Sequence, residues 1–193
     1  MLRLHHQRGL SLLELLVSLV VFSIGLLGIA GLQMVSKQAS YEGLQRTLAS
    51  QVAYGLLEDM RTNGSGISVY VAANDLGGGT LAGLPVSQCR DPDTPCSPAQ
   101  KAVHDLWYWE RTVDGAAELG IEGQTGGILF PTVCVDGPAG GVAGVYSVSV
   151  AWRGGVELAD PETSQCGAGS GNYGDGDRFR RVIQVGTFID PNI

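Results

Sequence analysis

The sequence predicts an α+β fold in which a long N-terminal helix packs on an antiparallel β-sheet. Residues 15–32 contain no charged side chain. Apolar residues then recur at helical spacing as far as Met60, and the last third of the chain contains segments typical of strands. Because an antiparallel sheet needs an apolar cover, the amphipathic half of the helix is its natural partner.

The apolar part of the helix is long enough to span a membrane. A span needs about 20 mostly apolar residues, and extension back across Glu14 to Leu10 and on to Val35 supplies them. Arg3 and Arg8 precede it, so the N-terminus is expected in the cytoplasm and the chain from about Lys37 outside. The segment is too long for a secretory signal peptide, and no A-x-A-like site follows it.

The second half of the helix is predicted to be amphipathic. Its apolar stripe consists of Leu44, Leu48, Val52, Leu56 and Met60, widened by Ala49, Ala53 and Leu57, with Gln45, Arg46, Glu58 and Asp59 placed off the stripe. The sequence "TNGSG" at Thr62–Gly66 is a stop signal, so one helix is predicted from Leu10 to about Arg61. Gly25, Gly28 and Gly31 would allow close approach of another helix in lipid.

The remaining residues predict one helix and three strands. Ser97 and Pro98 suit the N-cap and first position of a helix that ends at Gly115. Trp107 and Tyr108 flank its apolar face, and partial core burial is favoured for both. The first strand is predicted in "GILFPTVCVDG", and its proline indicates an edge strand or a bulge. The second, "VYSVSVAWRGG", is predicted to be half-buried, with Ser147, Ser149 and Ala151 facing outward. The third, "RFRRVIQVGTFI", has Phe179, Ile183, Val185 and Ile189 on one face.

The four cysteines predict two disulfides in an oxidising compartment. Cys89, Cys96, Cys134 and Cys166 lack the spacing of a zinc site. Sequence alone allows three pairings. Cys89–Cys96 with Cys134–Cys166 is favoured because the first pair closes a tight proline-rich loop, "CRDPDTPC".

Composition argues against several function classes. The net charge of −7 argues against nucleic-acid binding through a basic face. The motifs of serine hydrolases, P-loop proteins and zinc proteases are missing from the sequence. His104 is the one histidine beyond the N-terminal tip and is predicted at a surface or boundary position. We therefore expect no catalytic residue, no metal and no cofactor.

One loop leaves a calcium site open as a minor alternative. In "GNYGDGDRF" the residues Asn172, Asp175 and Asp177 offer oxygen ligands, which calcium prefers. However, the EF-hand pattern is missing, and Asp-Gly pairs are routine turn residues.

The N-terminus closely resembles the type IV prepilin signature, through "RGLSLLELLVSLVVF". In that family a short basic leader ends in glycine, and a prepilin peptidase cuts after it and methylates the new amine. The resemblance implies cleavage between Gly9 and Leu10 and N-methylation of Leu10, which replaces the usual phenylalanine. Glu14 is then the fifth mature residue and is expected to pair with the N-terminal amine of a neighbouring subunit during assembly.

Further phrases are similar to PilV-type minor pilins: "SIGLLG", "LLEDMRTN", a tryptophan-containing helix after a cysteine loop, and "VSVAWRG". The resemblance implies a pilin fold, a non-enzymatic role in priming or modifying type IV pilus assembly, and a head in the periplasm before assembly and on the pilus afterwards. The expected partners are major and minor pilins, the prepilin peptidase, the inner membrane and an adhesin. The expected divisions are a leader at 1–9, an assembly half at 10–35, an amphipathic half at 36–62 and a head at 63–193.

Two alternatives share part of this description. A minor pseudopilin of a type II secretion system would have the same signature and helix. A membrane-anchored periplasmic binding module or enzyme would instead keep its uncut N-terminus.

Overall fold

A computed structural model describes residues 11–73, 75–81, 83–87, 89, 95–115, 119–120, 123–124 and 127–192. The chain divides into two compact units, Met1–Tyr41 and Glu42–Ile193. The helices are α1 (Leu12–Thr62), α2 (Ile67–Ala72) and α3 (Pro98–Val113), and short 3₁₀ turns lie at Gly64–Gly66 and Asp175–Asp177. The strands are β1 (Leu119–Gly120), β2 (Gly123–Gln124), β3 (Thr132–Asp136), β4 (Gly144–Arg153) and β5 (Arg180–Ile189). The predicted α+β fold is confirmed.

The long helix ends within one residue of its predicted end, at Thr62. Asn63 follows, and its side-chain amide donates to the carbonyl of Pro98 at 2.8 Å. Gly66 allows the chain to pass close to that carbonyl, since a Cβ there would lie 2.6 Å from the Pro98 oxygen. The six-residue helix α2 that comes next was not predicted from the sequence.

The main sheet has the order β3-β4-β5 and is antiparallel throughout. Val150 of β4 lies opposite Val133 on one side and Ile183 on the other. β3 begins directly after Pro131 and lies at the edge of this sheet, as the sequence predicts. On its outer side, Val133 exchanges two backbone hydrogen bonds with Leu76 in an isolated bridge. β1 and β2 form a separate two-residue ladder.

The core lies between the second half of α1, α3 and one face of the sheet. Seven residues of α1 are buried: Gln45, Ala49, Val52, Ala53, Leu56, Leu57 and Met60. The sheet contributes Tyr146, Val148, Val150 and Trp152 of β4 to the same cluster, and α3 contributes Ala102, Leu106 and Val113. The predicted cover of the sheet by the amphipathic half is therefore confirmed.

Leu44, predicted on the apolar stripe, and Gln45, predicted off it, are both placed differently in the structure. Leu44 is 54% exposed, whereas Gln45 is 3% exposed. The side-chain amide of Gln45 can be buried because both its nitrogen and its oxygen are hydrogen-bonded to backbone groups. Gln45 Nε2 donates to the carbonyl of Gly127, and its Oε1 accepts from the Leu129 amide at 2.8 Å.

The face of β4 that was predicted to point outward is covered by another segment of the chain, so the prediction of a half-buried strand is wrong. Ser149 and Ala151 are fully buried because the segment 154–179 folds back over them. Ser164 Oγ lies 3.0 Å from Ser149 Oγ, and Cys166 is joined to Cys134 of the neighbouring strand.

Arg180 fastens the same segment and is itself fully buried, although the sequence placed it off the apolar face. Its guanidinium donates to Asp160 Oδ1 at 2.7 Å and to the carbonyls of Pro161, Ser164 and Cys166. These hydrogen bonds offset the free-energy cost of removing the guanidinium charge from water. On the opposite face of β5, Ile183, Val185 and Ile189 pack into the core as predicted, while Phe179 precedes the strand.

The helix α3 begins with a capping box, in which Ser97 and Gln100 bond each other's backbone. This confirms the predicted N-cap and first helical position. Tyr108 is 50% exposed, so the prediction of partial burial is wrong for it, whereas Trp107 is half-buried. The reason is that α3 turns Asp105 and Glu110 inward, where both find hydrogen-bond donors.

Candidate functional site

The first half of α1 is the largest exposed apolar surface of the described residues. Every residue from 11 to 41 is exposed. The most apolar 18-residue window of the helix has a mean hydropathy of 2.6, so by length and composition it can cross a membrane. An apolar surface of this extent marks a site of contact with lipid or with other proteins.

Glu14 lies in the first turn of α1, where the positive end of the helix dipole favours a carboxylate. The Ser11 hydroxyl accepts from the Leu13 amide at 3.3 Å, and the Ser18 hydroxyl donates to the Glu14 carbonyl at 2.7 Å. Within residues 11–192 as described, the Glu14 carboxylate has no partner of its own. It is thus an acceptor group available for a cation from another molecule.

The residues predicted for processing, Gly9 and Leu10, and the basic leader residues Arg3 and Arg8 lie outside the described residues. Of the residues predicted to act in processing and subunit assembly, Glu14 is the one that lies within the described residues.

Gly25, Gly28 and Gly31 leave open space along the same helix. A Cβ added at any of them would meet no atom within 4 Å. Small residues at such positions let the backbone of a second helix come close.

The head contains the disulfide pairing that the sequence favours. Cys89 is bonded to Cys96 across 7 residues, with a Cα–Cα distance of 5.4 Å. Cys134 is bonded to Cys166 across 32 residues, with a Cα–Cα distance of 5.7 Å. The second bond joins β3 to the segment that covers the outer face of the sheet, so it fixes the path of that segment.

The loop considered for calcium uses its polar groups within the chain. Asp177 Oδ2 accepts from the Gly169 amide at 2.7 Å, and the carbonyl of Asn172 accepts from Arg153. Asp175 is exposed. In the described part of the chain, no three His, Cys, Asp or Glu residues are grouped as metal ligands.

His104 lies on α3 at a boundary position, with its side chain 18% exposed. Its Nδ1 is 3.8 Å from Asp105 Oδ1, beyond hydrogen-bond distance. The ring faces Trp107 at a centroid distance of 6.1 Å. Among the described residues, no hydroxyl or thiol group is hydrogen-bonded to the imidazole.

The buried carboxylates of α3, which sequence reasoning missed, organise the head instead of forming a reactive site. Asp105 Oδ2 accepts from Tyr70 Oη at 2.5 Å and from Lys101 Nζ at 2.7 Å. Burial, and then the hydrogen bond to Asp105, raises the pKa of the Tyr70 hydroxyl far above its ordinary value. Tyr70 therefore stays protonated and serves as a donor.

Glu110 and Asp114 hold the glycine-rich segment 77–81 against α3. Glu110 accepts from the amides of Gly77 and Leu81 and from the Thr80 hydroxyl. Asp114 accepts from the amides of the two glycines between them. With their lone pairs engaged in this way, these carboxylates position a loop. No sequence pattern signals this, because the donors are backbone groups about 30 residues away.

Comparison with known families agrees with this geometry. The prokaryotic N-terminal methylation motif matches residues 4–30. The model of the type IV pilin Tt1218 matches residues 31–107. No curated protein and no solved structure matches the chain. The long N-terminal helix and the small antiparallel sheet are consistent with the type IV pilin fold. The matched pilin family is one of structural and generally non-enzymatic subunits.

Proposed function

We propose that this chain is a PilV-type minor pilin of a type IV pilus, which helps to initiate or modify pilus assembly. The observation that carries the proposal is the sequence register of Gly9, Leu10 and Glu14, followed by the part of α1 in which residues 12–41 are all exposed. An apolar helix that the protein itself leaves uncovered requires lipid before assembly and other helices afterwards.

In this proposal residues 1–9 are a leader that a prepilin peptidase removes. The peptidase cuts between Gly9 and Leu10 and methylates the amine of Leu10. Residues 10–35 then form the membrane and assembly half of the helix, residues 36–62 its amphipathic half, and residues 63–193 the periplasmic head. The match to an N-terminal methylation motif over residues 4–30 supports this processing.

Glu14 has a physical role in this scheme. A carboxylate in hydrocarbon costs about 2.5 kcal/mol or more unless it is paired. Cleavage creates a cation at Leu10. In this proposal the cation of a neighbouring subunit pairs with the Glu14 carboxylate, which has no partner among the described residues. A pair formed in a low-dielectric setting specifies which subunits associate and in which register. The charge is therefore a recognition element for assembly with other pilins.

The proposed location follows from the charges that flank the apolar helix. Positive residues stay in the cytoplasm, so the head faces the periplasm of the inner membrane before assembly and the cell surface afterwards. Two disulfides suit both oxidising locations. The phrases "SIGLLG", "LLEDMRTN" and "VSVAWRG" support the PilV type, and an adhesin is a further partner in this proposal.

The assembly role is tested with Glu14→Ala. We expect cleavage and methylation to proceed, while the variant is lost from sheared filaments and accumulates in the inner membrane. Glu58→Ala is the matched control, because Glu58 lies on the same helix in an exposed pair with Arg61 that contributes little. Normal incorporation of Glu14→Ala would contradict the pairing role.

Deletion of the gene separates a pilus from a secretion system. The proposal predicts loss or reduction of surface filaments with normal protein secretion. Loss of secretion with intact filaments would instead assign the chain to a type II secretion pseudopilus.

A further inference from the structure

The Cys134–Cys166 disulfide lies in the wall of a pocket of about 480 Å³ in the Glu42–Ile193 unit. Residues of β3 and of the segment 154–179 line this pocket, which takes no part in the proposed assembly role. A disulfide reacts with thiols by exchange of its S–S bond. The pocket therefore influences which thiols reach the bond.

The two cysteines of this bond differ in exposure. Cys166 is 5% exposed, whereas Cys134 is half-buried. Cys166 Sγ lies 3.5 Å from the carbonyl oxygen of Thr132 and 3.6 Å from that of Ser149. Because access helps to decide which sulfur of a disulfide is attacked, an incoming thiol meets this bond from the Cys134 side.

The surroundings of Cys134 are acidic. Asp75 Oδ1 lies 3.2 Å from Cys134 Sγ, and the exposed residues Asp136 and Glu162 line the same pocket. Of the described residues that line it, none is a lysine, an arginine or a histidine. The attacking form of a thiol is an anion, and a second negative charge on the same molecule increases its repulsion by these carboxylates.

Attack at Cys134 releases the sulfur of Cys166. A thiolate at that position is buried beside two carbonyl oxygens, which are acceptors and do not stabilise an anion. The Arg180 guanidinium donates to the Cys166 carbonyl, but it is already paired with Asp160. The released sulfur therefore takes up a proton, and its S–H then has a carbonyl within reach as an acceptor.

We propose that the Cys134–Cys166 bond is a thiol-exchange site that opens at Cys134 and selects thiols without a further negative charge. The incoming thiolate bonds to Cys134 Sγ, the bond between the two cysteine sulfurs breaks, and its electron pair goes to Cys166, which takes a proton from the solvent. A second thiol then displaces the first from Cys134, so both cysteines are reduced and two thiols are oxidised to one disulfide. Exchange releases the segment 154–179 from its covalent link to β3. This site is independent of the cleavage and assembly of the N-terminal helix, so it succeeds or fails separately from the proposed function.

The test reduces the full chain, in an uncharged detergent, with cysteamine, which carries an ammonium group, or with mercaptoethanesulfonate, which carries a sulfonate. Alkylation of the released thiols and mass spectrometry give the rate for each disulfide at equal thiolate concentration. Asp75→Asn should speed the reduction of Cys134–Cys166 by mercaptoethanesulfonate about fivefold, the effect of one unit charge at about 4 Å in water, and that by cysteamine much less. High salt should shrink this difference. Asparagine, like aspartate, tolerates the φ of 41° at this position, so the substitution keeps the backbone.

Asp175→Asn is the matched control, because Asp175 is exposed on the same covering segment and does not line the pocket. The Cys89–Cys96 bond is an internal reference, whose rate Asp75→Asn should leave unchanged. Acid quenching early in the reaction traps the mixed disulfide with cysteamine, which peptide mapping should find on Cys134. A mixed disulfide on Cys166, equal acceleration with both thiols, unchanged rates, or a rate independent of thiol concentration would overturn the proposal.

Discussion

Gln45 is a buried amide that joins two distant parts of the head. Its side chain bonds a carbonyl 82 residues away and an amide 84 residues away. Both bonds are made in a site that is 3% exposed, where an unsatisfied group is costly. Gln45 therefore fixes how the segment before β3 meets α1.

We predict that Gln45→Ala lowers the free energy of unfolding by about 1–3 kcal/mol, because it leaves the Leu129 amide and the Gly127 carbonyl without their partner. Chemical denaturation followed by the fluorescence of the three tryptophans measures this. Gln51→Ala, at an exposed position of the same helix, is the control and should change little. Equal effects of the two substitutions would show that the bonds of Gln45 contribute nothing specific.

Buried polar residues were the hardest to predict from the sequence. Gln45 and Arg180 occupy positions that a binary apolar pattern assigns to solvent. Their burial depends on acceptors and donors that only the folded chain brings close, such as the Ser164 and Cys166 carbonyls around Arg180. By contrast, Val52, Leu56 and Met60 follow the helical period and were predicted correctly.

Among the elements, α3 packs against α1 at a glycine. A Cβ at Gly55 would lie 2.2 Å from a ring carbon of Trp109. Trp109 Nε1 donates to Asp59 Oδ2 at 2.7 Å, one turn further along α1. Burial raises the pKa of the Asp59 carboxyl above its ordinary value, partly opposed by this hydrogen bond. The contact thus combines close packing with a polar anchor.

We predict that Gly55→Ala destabilises the head by about 1–3 kcal/mol, because the added methyl group displaces the Trp109 ring. The intrinsic preference of a helix for alanine opposes this by about 1 kcal/mol. Gly43→Ala is the matched control on the same helix, since a Cβ there meets nothing within 4 Å, and it should stabilise. Thermal melts of both variants test the difference, and a stabilising Gly55→Ala would contradict the packing account.

Long helices and strands were predicted well from the sequence, whereas the short helix α2 and the burial of the outer face of β4 were not. α1, α3 and the three main strands carry enough repeats of their period to be recognised. α2 has six residues, too few for a helical period to be distinctive. The burial of Ser149 and Ala151 could not be predicted, because it depends on where the Cys134–Cys166 bond draws the segment 154–179.

For the whole molecule, the two disulfides differ in the length of chain that they close. The Cys134–Cys166 bond spans 32 residues and holds a segment that covers one face of the sheet. The Cys89–Cys96 bond spans 7 residues. In the chain-entropy account, the longer loop restricts the unfolded chain more.

We predict that replacing Cys134 and Cys166 together by serine lowers the free energy of unfolding by about 4 kcal/mol, and that replacing Cys89 and Cys96 costs about 2.5 kcal/mol. The first replacement should also expose the outer face of β4, which faster hydrogen exchange of its amides would report. A larger loss from the shorter loop would contradict this ranking.

The central claim concerns the start of the mature chain. Glu14 has a partner in the proposed assembly only if cleavage creates an amine at Leu10. Mass spectrometry of the N-terminal fragment, on protein purified from cells that contain a prepilin peptidase, measures this directly. The account predicts a chain that begins with N-methylated Leu10. A chain that still begins at Met1 in those cells would contradict it.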